Sequence, residues 1–355
     1  MTALPTVHPA RSFLLLLLLL APSACTTDRS QPVPAAAPVP SLSSTDRAAV
    51  SDDAARTLSA LQQIADAHHG TRASGTPGFD ASAAYVADRL RAARLAVHHQ
   101  SFTTRKGRRT ENLWVDVPGR SHRVVVVGAH LDSAEISPGI NDNGTGVAAV
   151  LAVARYTAQQ SPSPHQTVRF AFWGAEETGS EGSRHYTRSL PERERARLAG
   201  YLNIDMTGTP GGVHHLVDGD RSTLPSVTGD RRHQYEKIQP APGSGRIEQI
   251  LHQALSAEGA RVTSDLLGIV NTDLAGFLAW APQVPVGGFS MYAARPRRLP
   301  SGRTEWIPCY HRPCDTHSRI DLAALRRGTL AVLTTVQTLS ADTAETTGLT
   351  PRTGP

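Results

Sequence analysis

Val124-Val125-Val126-Val127-Gly128-Ala129-His130-Leu131-Asp132-Ser133 is the stretch that decides the fold. The unbroken apolar run from Val124 to Ala129 reads as a strand buried on both faces, as the inner strands of parallel sheets are. Ala148 to Tyr156 follows at helical spacing, and Thr167 to Trp173 is again a strand. That order predicts a right-handed crossover between two parallel strands. Tyr201 to Ile204 adds a strand, Arg246 to Glu258 a helix, Val284 to Phe289 a further strand, and a helix from about Leu322 to Leu339 closes the chain. Upstream, Leu58, Leu61, Ile64 and Ala65 recur at helical spacing and end at His68-His69-Gly70. A second helix from about Asp80 carries Tyr85, Val86, Leu90 and Ala93, and short strands follow near Val97 to Phe102 and Asn112 to Val117. No internal repeat is visible. The expectation is one α/β domain over residues 51–341, a three-layer sandwich with a mostly parallel, mixed central sheet. Ligands of such sheets bind just beyond the carboxyl ends of the strands.

Those ends carry metal-competent side chains. The first strand runs into His130 and Asp132, and the turn Gly139-Ile140-Asn141-Asp142-Asn143-Gly144-Thr145-Gly146 leads into the helix. The second ends in Trp173-Gly174-Ala175-Glu176-Glu177-Thr178-Gly179, the third in Asn203-Ile204-Asp205-Met206, and far downstream stands Cys309-Tyr310-His311-Arg312-Pro313-Cys314-Asp315. Taken singly, Asp142 reads as a helix N-cap, the glutamate pair as solvated surface and a lone histidine as packing. Five separate segments converging on one sheet edge point instead to a site. Two histidines and three carboxylates without a thiolate suit zinc, cobalt or manganese, and they exceed what one zinc needs. Two zincs share such a set through a bridging carboxylate.

The motifs from His130, Asp142, Glu176-Glu177, Asp205 and Tyr310-His311, in this order, resemble the secreted bacterial dinuclear zinc aminopeptidases, the leucyl aminopeptidase-like α/β zinc exopeptidases. Thr71-Arg72-Ala73-Ser74-Gly75-Thr76-Pro77-Gly78 also looks like theirs, and the resemblance covers roughly residues 52 to 340. It implies two zinc ions, with Asp142 bridging, His130 and Asp205 completing one site, and Glu177 and His311 the other. Glu176 would be the general base and Tyr310 would polarise the scissile carbonyl of peptides with a free amino end. Asp132, two residues after His130 on an extended chain, is expected to orient its imidazole. The same extended geometry turns Glu176 and Glu177 in different directions, one to metal and one to water. His317 rivals His311, but only His311 has the preceding tyrosine and flanking cysteines. A Cys309–Cys314 disulfide would close a very short loop, worth roughly 2 kcal/mol, and fix Tyr310 and His311. One departure concerns the Asp-His-Ala-Pro-Phe segment of many relatives, which here is Asn271-Thr272-Asp273-Leu274-Ala275-Gly276-Phe277.

The rest of the chain bounds where such an enzyme works. Arg11 precedes the apolar stretch Phe13 to Ala21, the length of a signal-peptide core and too short to span a bilayer. Pro22-Ser23-Ala24-Cys25 resembles a bacterial lipobox, with Pro22 where leucine is usual. With Cys309 and Cys314 close enough to pair, Cys25 is left alone, and lipidation there is the expectation. Residues 1–24 are thus expected to be a signal peptide, 25–50 a Pro/Ala/Ser-rich tether and 342–355 a flexible tail. The expected protein is exported and monomeric, touching the membrane only through that lipid. Net charge is +5, but the densest basic run, Arg105 to Arg109, contains no aromatic residue and reads as a solvated hairpin tip, not a nucleic-acid surface. The pairs His68-His69, His98-His99 and His214-His215 read as structural or solvated, and Asp218 to Gly245 as a polar loop able to cover the site.

Other classes fit less well. No serine sits in G-x-S-x-G, which weighs against a serine hydrolase. A glutaminyl cyclase would use one zinc, whereas His130 and Asp205 argue for two. A two-zinc carboxypeptidase or amidohydrolase is a further alternative. A binding protein that had lost its metals would not need all five ligands and Glu176.

Overall fold

The computed structural model describes residues 42–223, 232, 236, 239–265, 272–299, 302 and 304–342. The leader, Cys25, most of the tether, the tail, Asn271 and much of the 218–245 loop lie outside them. The helices are α1 (Ser44–Ala67), α2 (Pro77–Ala92), α3 (Thr145–Thr157), α4 (Glu181–Ser189), α5 (Glu192–Arg195), α6 (Ser244–Ala257), α7 (Leu274–Trp280) and α8 (Leu322–Ala341). The main strands are β1 (His98–Thr103), β2 (Arg109–Val117), β3 (Ser121–His130), β4 (Gln166–Trp173), β5 (Leu198–Asp205), β6 (Gly212–Val217), β7 (Val262–Asp265) and β8 (Val286–Ala293).

These eight strands form one sheet in the order β1-β2-β4-β3-β5-β8-β6-β7. The inner four, β4-β3-β5-β8, run parallel, while β1/β2, β2/β4 and β6/β8 pair antiparallel. The valine run explains the layering. Val125, Val127 and Ala129 of β3 pack into a core shared with α1, α2, α3, α6 and α8. Val124 and Val126 face the opposite core with Trp173, Tyr186, Tyr201 and Phe277. Gly128 lets that second layer close, because a Cβ there would stand 2.5 Å from the Trp173 Nε1 that donates to the Tyr201 hydroxyl. The sheet is mixed and mainly parallel with helices on both faces, as the sequence predicts.

Helix α1 begins earlier than the visible period suggests. Ser43 caps it by accepting the Asp46 N–H, and Val50 and Ala54 are buried, so the helix includes residues ahead of position 51. The Ala/Ser/Thr composition of that first turn resembles the preceding tether and conceals the cap. Further along, Asp53 of α1 pairs with Arg89 of α2 and Arg155 of α3, which ties the first three helices together. The two outer strands β6 and β7 and the short helices α4, α5 and α7 carry no period long enough to be read from sequence.

Strand order reverses at β3, with β4 on one side and β5 on the other. Reversal opens a crevice at the carboxyl ends of β3 and β5, where doubly wound sheets bind ligands. His130 ends β3 and Asp205 ends β5.

Candidate metal centre

Backbone strain gathers at this crevice. Ala175, before Glu176, has φ +56°, Met206, after Asp205, has φ +63°, and His311 itself has φ +55°. Left-handed backbone costs a non-glycine residue roughly 1–2 kcal/mol, and it persists only where surrounding contacts overdetermine it. Those contacts are visible. The Ala175 N–H donates to Ser74 Oγ at 2.7 Å and the Met206 N–H to Asn143 Oδ1 at 3.0 Å. The loop bearing His311 is closed by the Cys309–Cys314 disulfide.

Asp142 stands at the centre, with its two oxygens serving two groups of partners. Oδ1 lies 3.2 Å from His130 Nε2, which is 3.5 Å from Asp205 Oδ1. Oδ2 lies 3.2 Å from His311 Nε2, which is 2.9 Å from Glu177 Oε2. Ligand atoms on a tetrahedral zinc with bonds of about 2.0–2.1 Å sit about 3.3 Å apart, so both groups have the spacing of a coordination shell. His130, Asp142 and Glu177 also bring one ligand atom each within 4.8 Å of one another. Asp142 Oδ2, Glu177 Oε1, Asp205 Oδ1 and His311 Nε2 are buried and make no hydrogen bond. Leaving such atoms unsatisfied costs about 1–3 kcal/mol each, which a bound cation would recover. The residues present therefore fit zinc.

Proton affinities in the cluster follow from that crowding. Burial opposes charge on His130, but Asp132, Asp142 and Asp205 outweigh it and raise its pKa well above 6.5. His311 is likewise pushed up to about 10 by Asp142 and Glu177 against the penalty of burial. Asp142, though buried, is held below the usual carboxylate range by the two histidines. Burial, with Asp142 beside it, pushes Glu177 up to about 7, and burial raises Glu176 well above the usual range. Partial burial and the carboxylates of Asp142, Asp205, Glu177 and Glu176 keep the Tyr310 phenol protonated. Its ring stacks on that of His311, centroids 3.7 Å apart, and remains 44% exposed at the rim.

Asp132 differs from its expected contact. His130 Nδ1 meets the Asp132 backbone carbonyl at 3.0 Å, while the carboxylate is 3.7 Å away. The carboxylate instead accepts the N–H groups of Glu176 at 3.0 Å and Glu177 at 3.4 Å. A proton on Nδ1 facing that carbonyl leaves Nε2 with a lone pair toward Asp142 and Asp205. His317 is placed elsewhere, with Nε2 3.2 Å from Ser59 Oγ of α1. The Arg105–Arg109 run is indeed a hairpin tip, but Arg105 is engaged: its side chain donates to the Thr178 carbonyl and its N–H to Glu181.

Several residues around the cluster have no role legible in the motifs. Arg72 is fully buried and donates to the carbonyls of Leu131, Pro138 and Gly139, pinning the loop between His130 and Asp142. Burial lowers its pKa to about 10, with Asp132, Asp315 and Asp142 opposing, so it stays charged at neutral pH. Asp315 accepts the N–H groups of Asn141 and Asp142, and burial pushes it up to about 7. Its only signal in sequence is an acidic residue directly after Cys314. Asp273, inside the departing segment, is completely buried, and burial pushes it up to about 7.

The family model described as Peptidase family M28 matches residues 112–336. Leupeptin-inactivating enzyme 1 of Streptomyces exfoliatus is 34% identical over 295 residues, covering 81% of this chain and 61% of its own length. The chain thus spans about three fifths of that relative. The solved structure of a zinc aminopeptidase from Bacillus subtilis shares the fold, with TM-score 0.62 and 18% identity over 81% of this chain and 94% of that one. A glutaminyl cyclase from Porphyromonas gingivalis is as similar in fold, with TM-score 0.61 and 19% identity over 81% and 97%.

Proposed function

Because the chain belongs to peptidase family M28, we propose that it is a two-zinc aminopeptidase, releasing residues from the free amino end of peptides. The observation that carries this reading is the division of Asp142, one oxygen toward His130 and Asp205, the other toward His311 and Glu177. In this reading His130, Asp205 and one oxygen of Asp142 would hold one ion, and Glu177, His311 and the other oxygen of Asp142 the second. Bound zinc supplies Lewis acidity and brings the pKa of a coordinated water down toward about 7.

The chain's own residues do the rest. Glu176 is left out of both ligand groups, although its N–H shares the Asp132 carboxylate with that of Glu177. It takes the proton of the attacking water and returns it to the departing amine. Tyr310, protonated at the rim, donates a hydrogen bond to the carbonyl oxygen of the scissile bond as negative charge develops there. Asp132 positions both glutamates through their backbone.

The test offers matched peptides with free and acetylated amino ends, and with free and amidated carboxyl ends, followed by mass spectrometry. Loss of the first residue only from free amino ends is expected. Cleavage that follows the carboxyl end would overturn the reading. The cyclase fold gives a second reading, a single-zinc glutaminyl cyclase. A peptide beginning with glutamine separates the two, since a cyclase removes ammonia and leaves the chain length unchanged.

A further inference from the structure

We propose that Ser180 is a positioning residue for Glu176, fixing its carboxyl group through the serine hydroxyl and tying it to the start of α7. This rests on the assignment of Glu176 as the proton carrier above. Ser180 occupies the N-cap position of α4, where a serine oxygen ordinarily accepts an N–H from the first helical turn. Here it makes no such bond. Its hydroxyl lies 2.9 Å from the Thr272 carbonyl and 3.2 Å from Glu176 Oε1, and the residue is 2% exposed.

The backbone makes this choice of residue notable. Ser180 has φ +55° and ψ +39°, a conformation that suits glycine, and its neighbour Gly179 is a glycine at φ +109°. Both N–H groups donate to the Glu176 carbonyl, at 2.8 Å from Ser180 and 2.7 Å from Gly179, so the turn folds residue 180 back over residue 176. A side chain is therefore held at a position where its absence would relieve strain, and the group it adds reaches the carboxyl of Glu176.

A hydroxyl also has the right chemistry. It carries one proton and two lone pairs, so it donates to a carboxylate and accepts from a carboxylic acid. While Glu176 is ionised, the Ser180 proton is shared between its carboxylate and the Thr272 carbonyl. Once Glu176 carries the proton taken from water, it donates to Ser180 Oγ, and the serine proton rests on Thr272. One contact thus holds the same orientation through both halves of the relay, with no covalent bond changed at Ser180.

The test compares Ser180→Gly with Ser180→Ala and Glu176→Gln, measuring kcat, KM, bound zinc and thermal midpoint on the full chain. Both serine variants lose the hydroxyl, but glycine relaxes the backbone and alanine does not. The expected result is a fall in kcat of about tenfold in both, the effect of one lost hydrogen bond to a charged group. KM within about twofold and unchanged zinc complete the expectation, with the Ser180→Gly midpoint above that of Ser180→Ala. A Ser180→Gly enzyme with wild-type kcat and full zinc overturns the proposal while Glu176→Gln remains inactive. If Glu176→Gln itself keeps wild-type turnover, the assignment of the proton carrier falls, and this proposal with it.

Discussion

The Asp315 carboxylate accepts the backbone N–H of Asp142 at 3.1 Å and, through its other oxygen, that of Asn141 at 2.8 Å. The segment that carries His311 thereby holds the backbone of the central aspartate. Substituting Asp315→Ala leaves two buried donors without an acceptor. We expect zinc affinity to fall by about 10–100-fold, the usual effect of losing a group that supports a ligand. The metal-free protein should also lose about 1–3 kcal/mol of stability. Competition with a chelator and urea unfolding of the apo form measure the two. An unchanged affinity would show that the clamp is not needed for binding.

Glu176 and Glu177 share the Asp132 carboxylate through their N–H groups, but only Glu177 approaches His311. Glu176→Gln is expected to keep two zincs and to lose about a hundred- to ten-thousand-fold in turnover. Glu177→Gln is expected to lose metal as well. Elemental analysis with steady-state kinetics on both variants decides it, and the opposite pattern would exchange the two roles.

Metal loading should expel protons. Before zinc binds, the neighbouring aspartates hold the His130 pKa well above the ordinary imidazole value, His311 is pushed up to about 10, and Glu177 up to about 7. Zinc requires neutral imidazoles and ionised carboxylates, so at pH 7 the histidine protons must leave. Their pKa is raised in the free site, so lower pH favours the metal-free form and higher pH favours loading. Two protons per chain from the histidines and a share of a third from Glu177 should be released at pH 7, with affinity falling by at least about a hundredfold per unit drop in pH below 7. Calorimetry in buffers of different ionisation enthalpy counts them, and an enthalpy independent of buffer would contradict this.

At the amino end, Cys25 is expected to be the first mature residue and to carry the full lipoprotein modification, since one acyl chain anchors only weakly. Among the described residues no helix is long and apolar enough to cross a membrane. Intact-mass measurement on protein from its native host tests this, and an unmodified terminus would refute it.

The valine run of β3 announces the fold because a strand buried on both faces cannot alternate. The strands toward the β7 edge of the sheet are harder to read. In β6, His214 is buried and His215 half-buried, so polar side chains interrupt the apolar signal on both faces. The five proposed ligand positions were legible because four lie at strand ends or in the turn after β3 and the fifth stands between two cysteines. The partners of those positions were not. Arg72 serves carbonyls about sixty residues downstream, and Asp315 reaches back more than 170 residues to Asp142. Such pairings exist only once the chain has closed. Asp132 shows the limit of local geometry: two-residue spacing brought it near His130, but its carboxylate turned to the next strand's turn.

The two sides of Asp142 rest on different foundations. His130 and Asp205 cap adjacent strands of the sheet and are nearly sealed, with side chains 2% and 9% exposed. His311 rides on a short loop and is 40% exposed. An ion held on the sheet side would leave only if the core loosened, while one on the loop side would be released by displacing His311 alone, whose ring is partly open to solvent although its Nε2 is buried. In a medium poor in zinc, the outer position should empty and refill many times during one residence of the inner ion. The enzyme would then carry a permanent metal and a borrowed one, and a foreign cation could take the second place without disturbing the first.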